Sequence, residues 1–247
     1  MHRAQVNALY LNGTHTKSIY ADGLKIENDL LLRDGFRSEG VVRLPRATIG
    51  GDFDCSKSSF INPKGRAITA DGIKVEGAFL LSNEFRSEGQ VRLVGAKVGG
   101  NLELKNSRFL NRKGVAINCT GLKAEGTVFM SNGFYAEGEV YLTDAIINAN
   151  LVCEKAKFIN PNGYALISER LKVNGDVFLR NGFKAEGKVN FYSAKIGGNF
   201  LWTDVDSPEK ATLDLRSAKI GTLGDSRESR GPTRCQDQCF LCLRCKL

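Results

Sequence analysis

The sequence predicts an all-β chain wound as a right-handed parallel β-helix: a solenoid of four-sided coils of about 23–26 residues, arranged in a 49-residue double-coil repeat. Three observations predict it. Phe36, Phe85, Phe134 and Phe183 stand 49 residues apart, and each opens one phrase: Phe36-Arg-Ser-Glu-Gly40, Phe85-Arg-Ser-Glu-Gly89, Phe134-Tyr-Ala-Glu-Gly138, Phe183-Lys-Ala-Glu-Gly187. Apolar or small residues come in skip-one pairs that recur every five or six residues, and Gly or Asn punctuates the steps between them. A period kept without insertion requires each copy to stack in register on the next.

Each element follows from those pairs. Gly72, Gly95 and Gly121 open successive coils, so the two halves of the repeat are 23 and 26 residues long. Within the shorter half the pairs are Ile73/Val75, Phe79/Leu81, Phe85/Ser87 and Val91/Leu93. Residues two apart face the same side of an extended chain, so each pair marks a very short strand with its core face inward. Four pairs make four sides, and a five- or six-residue step is too short for helices. The mixed spacing speaks against a left-handed hexapeptide helix, while parallel crossovers favour the right hand. Coils start at Leu24, Ala47, Ile73, Ala96, Leu122, Ala145, Leu171, Ala194 and Ala218, giving eight full turns. At the strand spacing the stack is on the order of 40 Å long.

The bends are assigned to Gly77, Gly89, Gly100, Gly126, Gly138, Gly187 and Gly198, where glycine takes positive φ readily. Asn28 stands in the place of Gly77 and is expected to adopt the same left-handed bend. Asn132-Gly133 and Asn181-Gly182 mark a further turn. The additional residues of the longer half form the loops Asn62-Pro-Lys-Gly65, Asn111-Arg-Lys-Gly114 and Asn160-Pro-Asn-Gly163, expected along one edge in alternate coils. They either close a corner or offer a place to bind.

Ala96-Lys-Val98, Ser107-Arg-Phe109 and Ala194-Lys-Ile196 resemble the small-x-large core of pentapeptide-repeat proteins. The phrase Gly89-Gln-Val-Arg-Leu-Val-Gly-Ala-Lys-Val-Gly-Gly-Asn-Leu102 is similar to pentapeptide-like repeats of bacterial proteins. The resemblance covers roughly residues 6–223 and implies a four-sided right-handed β-helix. Many steps here are six residues long, and Gly-Gly replaces the usual polar turn. Such repeats share a shape and no common chemistry, so the resemblance implies no activity.

Function must then be read from the outward faces. Lys25, Lys74, Lys97, Lys123, Lys172, Lys195 and Lys219 occupy one position in seven of nine coils, with Thr48 and Ile146 as the exceptions. With a net charge of +8 and a pI near 9.1, such a row suits a phosphate backbone or an anionic membrane surface. Lysine also simply keeps an exposed strand soluble. Glu39, Glu88, Glu137 and Glu186 repeat beside cations in like environments, whereas acid/base catalysis needs carboxylates in unlike ones. Asp52 and Asp54 are two apart, but no recurring acidic partner completes a polysaccharide-cleaving site. His2 and His15 are the only histidines, so neither a Ser-His-Asp arrangement nor a His-based metal site is expected. The expectation is a non-enzymatic scaffold or binding module without cofactor or small-molecule substrate. Its partners would be a protein, an anionic surface (membrane or nucleic acid), or another copy stacked end to end.

Cys55, Cys119 and Cys153 fall at inward positions and read as small core residues. The other four form Cys235-x3-Cys239-x2-Cys242-x2-Cys245, in a stretch after the repeat domain of residues 1–223. Residues 224–247 read as a disordered or foreign tail; the alternative is a metal-binding or redox segment, since four thiolates hold zinc or an iron–sulfur cluster. The repeat begins in mid-coil and stops soon after Ala218, which suggests a piece of a longer repeat protein or end-to-end association. No apolar run reaches the roughly 20 residues of a spanning helix. The start, Met-His-Arg-Ala-Gln-Val, lacks the regions of a signal peptide, so a cytoplasmic location is expected.

Overall fold

A computed structural model describes residues 4–226. They form a parallel β-solenoid of about 10 turns, broken by one short 3-10 turn at Pro208–Lys210. Four ladders of parallel strands run up the stack, one per side. The first side comprises Gln5–Val6, Lys25–Ile26, Thr48–Ile49, Lys74–Val75, Lys97–Val98, Lys123–Ala124, Ile146–Ile147 and Lys172–Val173, then the starts of Lys195–Thr203 and Lys219–Asp225. The second side runs through Leu9–Tyr10, Leu30–Leu31, Phe53–Asp54 and Phe79–Leu80 and onward. The third and fourth sides share strands, as in Ser59–Thr69: its first part pairs with Arg37–Ser38 and its last with Val42–Arg43. The count exceeds the eight turns read from the sequence because residues 4–23 already make a turn, in which Gln5 and Val6 pair with Lys25 and Ile26, and Lys219–Asp225 opens another on Lys195–Thr203. Its apolar positions, Leu9, Leu11, Ile19 and Ala21, are only half-buried, which is why the pattern is weak there.

The inward pairs are the core. Ile73, Phe79, Leu81, Phe85, Val91 and Leu93 are all fully buried. The third side explains why the repeat spans two coils rather than one. In register, Phe85 lies opposite Ser107 and Phe109 opposite Ser87, so large and small residues alternate both along the strand and up the stack. The rings therefore zigzag from Phe36 through Phe60, Phe85, Phe109, Phe134, Phe158 and Phe183 to Trp202, with centroids 5.0–5.6 Å apart and tilted planes. That spacing is wider than one strand step and lies in the favourable range for aromatic pairs. Ser38 and Ser87 occupy the small positions with no hydrogen-bond partner, and Ala136 and Ala185 take that position two and four turns beyond Ser87.

The Gly of Phe-x-x-Glu-Gly has a separate cause in the last three copies. Gly89, Gly138 and Gly187 have φ of +99, +113 and +120° and lie against the loop of the preceding coil. A Cβ on Gly89 would stand 2.1 Å from the Asn62 carbonyl oxygen. The loops sit where the third side turns into the fourth, and each is held by its own asparagine. Asn62, Asn111 and Asn160 donate through Nδ2 to the carbonyls of Arg66, Val115 and Tyr164, each at 2.9 Å.

The bend assignment needs correction at the other corner. Gly77, Gly100, Gly126, Gly198 and Asn28 do not have positive φ. Glycine is needed there for close approach, since a Cβ on Gly77 would meet Asp52 Oδ1 at 2.1 Å. Those carboxylates and amides cap the corner: Asp52, Asn101 and Asn150 accept the backbone N–H of Ala78, Thr127 and Asp176 one coil on, at 2.7, 2.9 and 2.8 Å. Asn28 instead donates to Asn7 Oδ1 at 2.8 Å. Asn132-Gly133 and Asn181-Gly182 do take left-handed φ, as the turn chemistry requires.

A lysine ladder as candidate functional site

Stacking brings the seven lysines into one outward column of the first side, and all seven are exposed. The register runs Lys25, Thr48, Lys74, Lys97, Lys123, Ile146, Lys172, Lys195, Lys219. Two runs of three consecutive lysines thus flank Ile146. From Lys74 to Lys219 there are six strand steps, about 29 Å. Neighbouring ammonium groups repel by less than about 1 kcal/mol in water, and their stems can splay to lower it.

Little nearby charge offsets this column. Among the described residues, Lys74 alone of the seven lysines makes an ion pair, with Glu76 Oε1 at 2.5 Å. Glu125 accepts Asn148 Nδ2 at 2.6 Å, and Glu27 accepts Gln5 Nε2 at 3.1 Å. The position two after the lysine becomes Gly99, Asn174, Gly197 and Gly221 beside Lys97, Lys172, Lys195 and Lys219. Asp144 lies on the adjoining corner, but Arg170 holds its carboxylate through two bonds of 2.7 Å. That hydrogen bonding keeps the Asp144 carboxyl below its usual range.

The other sequence candidates are engaged structurally. Glu39, Glu88 and Glu186 pair with Arg37, Arg86 and Lys184 at 3.2, 2.7 and 3.2 Å. Glu137 is bound by Arg112 at 3.2 Å and by Tyr135 Oη at 2.6 Å, and those hydrogen bonds lower its carboxyl. Asp54 is buried on the second side and accepts from Arg33 Nη1 at 3.0 Å, while Asp52 caps the corner. Cys55, Cys119 and Cys153 are fully buried, and burial pushes their thiols up, that of Cys119 to about 12. Cys235, Cys239, Cys242 and Cys245 lie outside the described residues. The last strand, Lys219–Asp225, runs two residues past the Leu223 boundary.

Sequence reasoning missed a second outward column. Leu31, Leu80, Phe129, Val152, Phe178 and Leu201 face outward on the second side and are half-buried. Lys105 Nζ lies 3.7 Å from the centre of the Phe129 ring, and the Arg180 guanidinium 4.6 Å from that of Phe178. The signal was available: Phe79-Leu80-Leu81, Val128-Phe129-Met130 and Val177-Phe178-Leu179 break the alternation of inward and outward residues.

No protein-family model, curated protein or solved structure matches this chain. Among the described residues, no helix is long and apolar enough to cross a membrane, and no group of three or more His, Cys, Asp or Glu is placed to hold a metal ion.

Proposed function

We propose that the protein is a non-catalytic, rigid solenoid, related in kind to bacterial pentapeptide-repeat proteins, whose first side binds an extended polyanion through the lysine ladder. One observation carries the reading: Lys97, Lys123, Lys172, Lys195 and Lys219 share a single exposed column, and none has an ion pair among the described residues. Stacking fixes the backbone spacing in advance, so binding orders only side chains. No aromatic residue interleaves the column, which favours contact with charge over stacking on bases. The same reading places the protein in the cytoplasm, where Cys55, Cys119 and Cys153 remain thiols.

Co-sedimentation or filter binding with duplex DNA, and with phosphatidylserine vesicles, across a salt series tests it. Neutralising five phosphates gives a slope of log K against log salt of about −4.5 on duplex DNA. Replacing Lys97 and Lys195 by alanine is expected to shallow that slope by about 2 while leaving the circular dichroism unchanged. Binding to both probes that ignores salt, or that survives replacement of all five lysines, would refute the reading.

A further inference from the structure

Tyr20, Tyr141 and Tyr164 stand on the fourth side, and Tyr192 follows at its exit corner, four of the chain's six tyrosines. Three of them belong to turns six to eight, where a recess of about 330 Å³ opens, lined by Thr120, Tyr141, Thr143, Tyr164, Ile167 and Glu169. Its position is set by stacking. Thr120, Thr143 and Glu169 occupy one corner position in successive coils, Tyr141 and Ile167 are paired neighbours on the strand face, and Tyr164 rises from the Asn160 loop.

The polar groups there are partly held and partly open. Asn190 Nδ2 donates to Glu169 Oε1 at 2.8 Å, which fixes the carboxylate. Its Oε2, 3.8 Å from Arg170 Nη1, keeps acceptor capacity for a ligand hydroxyl. Tyr141 Oη donates to Glu139 Oε2 at 2.9 Å, and burial together with that bond pushes its phenol up to about 12. Among the described residues the hydroxyls of Thr120, Thr143 and Tyr164 have no hydrogen-bond partner, and Tyr164 is 38% exposed. Of the neighbouring cations, Arg170 is held by Asp144, while the exposed Lys188 lies over the Tyr164 ring at 5.2 Å and makes no ion pair among the described residues.

We propose that this recess binds one ring of a neutral oligosaccharide. A sugar ring has an apolar C–H face to lay on tyrosine and a rim of hydroxyls to meet two threonines and a carboxylate. A phosphate, sulfate or uronate would face Glu169, with Lys188 over the Tyr164 ring as the one cation beside the recess not already held by a carboxylate among the described residues. A purely apolar ligand would leave Glu169 and the threonine hydroxyls dehydrated and unpaired. The volume lies at the lower end for ligand sites, so one ring enters and the remaining sugars run along the side in water.

Titration of the purified protein with maltotriose, cellotriose, xylotriose and chitotriose, followed by calorimetry and tyrosine-ring NMR, tests the proposal. At least one is expected to bind with a dissociation constant of about 1 mM. Tyr164→Ala should weaken that binding at least about tenfold, and Thr143→Val, which keeps the shape of the site, at least about threefold. Tyr20→Ala, on the same side but outside the recess, should leave it unchanged. The proposal falls if no trisaccharide binds at about 20 mM, if Tyr20→Ala costs as much as Tyr164→Ala, or if trigalacturonate binds more tightly than every neutral sugar.

Discussion

Exchanging two side chains on one strand tests whether the zigzag of rings dictates the double-coil period. The variant carries Ser107→Phe and Phe109→Ser, so composition and side-chain volume are conserved. In the native register Ser107 lies opposite Phe85, and Phe109 lies between Ser87 and Ala136. After the exchange the new ring would sit one strand step from Phe85 in the same column, and on the other side face Phe134, at about 4.8 Å from each. Three rings would be forced towards face-to-face stacking, while Ser87, the new serine and Ala136 would line a void. Losing a buried phenyl costs about 3–5 kcal/mol, and overfilling the adjacent column adds about 1–3 kcal/mol. Part of this is recovered if the void and the crowded column relax toward one another, so the expected loss is about 4 kcal/mol. Equilibrium urea unfolding followed by far-UV circular dichroism measures it, with Phe109→Ala as the reference for the void alone. A loss within about 1 kcal/mol of wild type would show that the columns are interchangeable and that the alternation has another cause.

Three further outcomes are expected. Gly138→Ala, where φ is +113° and a Cβ meets Asn111 O at 2.4 Å and Gly114 O at 2.5 Å, should cost about 2–3 kcal/mol; Gly182→Ala, at φ +83° with nothing within 4 Å, should cost about 1 kcal/mol, both read from urea midpoints. Ser87→Ala should stabilise by up to about 1 kcal/mol, because it removes a buried hydroxyl with no partner and installs the residue already present at Ala136; a clear loss of stability would show an unrecognised partner. Cys55, Cys119 and Cys153 should resist iodoacetamide at pH 8 in the folded protein and react in urea, as read by peptide mass mapping, since burial suppresses the thiolate that reacts.

What was legible in the sequence is what every coil must repeat. The inward pairs, the four sides and the shared column of lysines follow from spacing alone, because stacked strands turn sequence period into spatial register. The alternation of Phe and Ser was also written in the sequence, as Phe85/Ser87 against Ser107/Phe109. Its meaning needs the register, which shows each large residue facing a small one. The two kinds of glycine could not be separated by pattern. Gly89 takes positive φ beneath a loop and Gly77 clears a capping carboxylate, and only neighbouring coils reveal which demand applies. The tyrosine recess was harder to read, since Tyr141 and Ile167 share one coil position but Tyr164 comes from the Asn160 loop and meets them only through the fold.

This difference also tells where recognition is to be sought on a solenoid. A column that stacking requires carries no information about a partner: the buried Phe–Ser column would be the same whatever the outer surface met. The lysine column is of the other kind. Thr48 and Ile146 occupy its rungs with the backbone pairing intact on both sides, so the strand does not need lysine. Lysine nevertheless fills three consecutive rungs on each side of Ile146, mostly without ion pairs. Ile146 follows directly on Asp144 and Ala145, at the corner where Arg170 holds Asp144 beside Glu169 of the tyrosine recess. The cationic ladder is thus interrupted on the turn whose corner supplies the recess with a carboxylate. The two features adjoin without sharing a side chain, so replacing Lys97 and Lys195 should leave sugar binding intact, and Tyr164→Ala should leave the salt slope intact. If either variant moved both readouts, the first and fourth sides would form one composite site, and the assignment of separate ligands would be wrong.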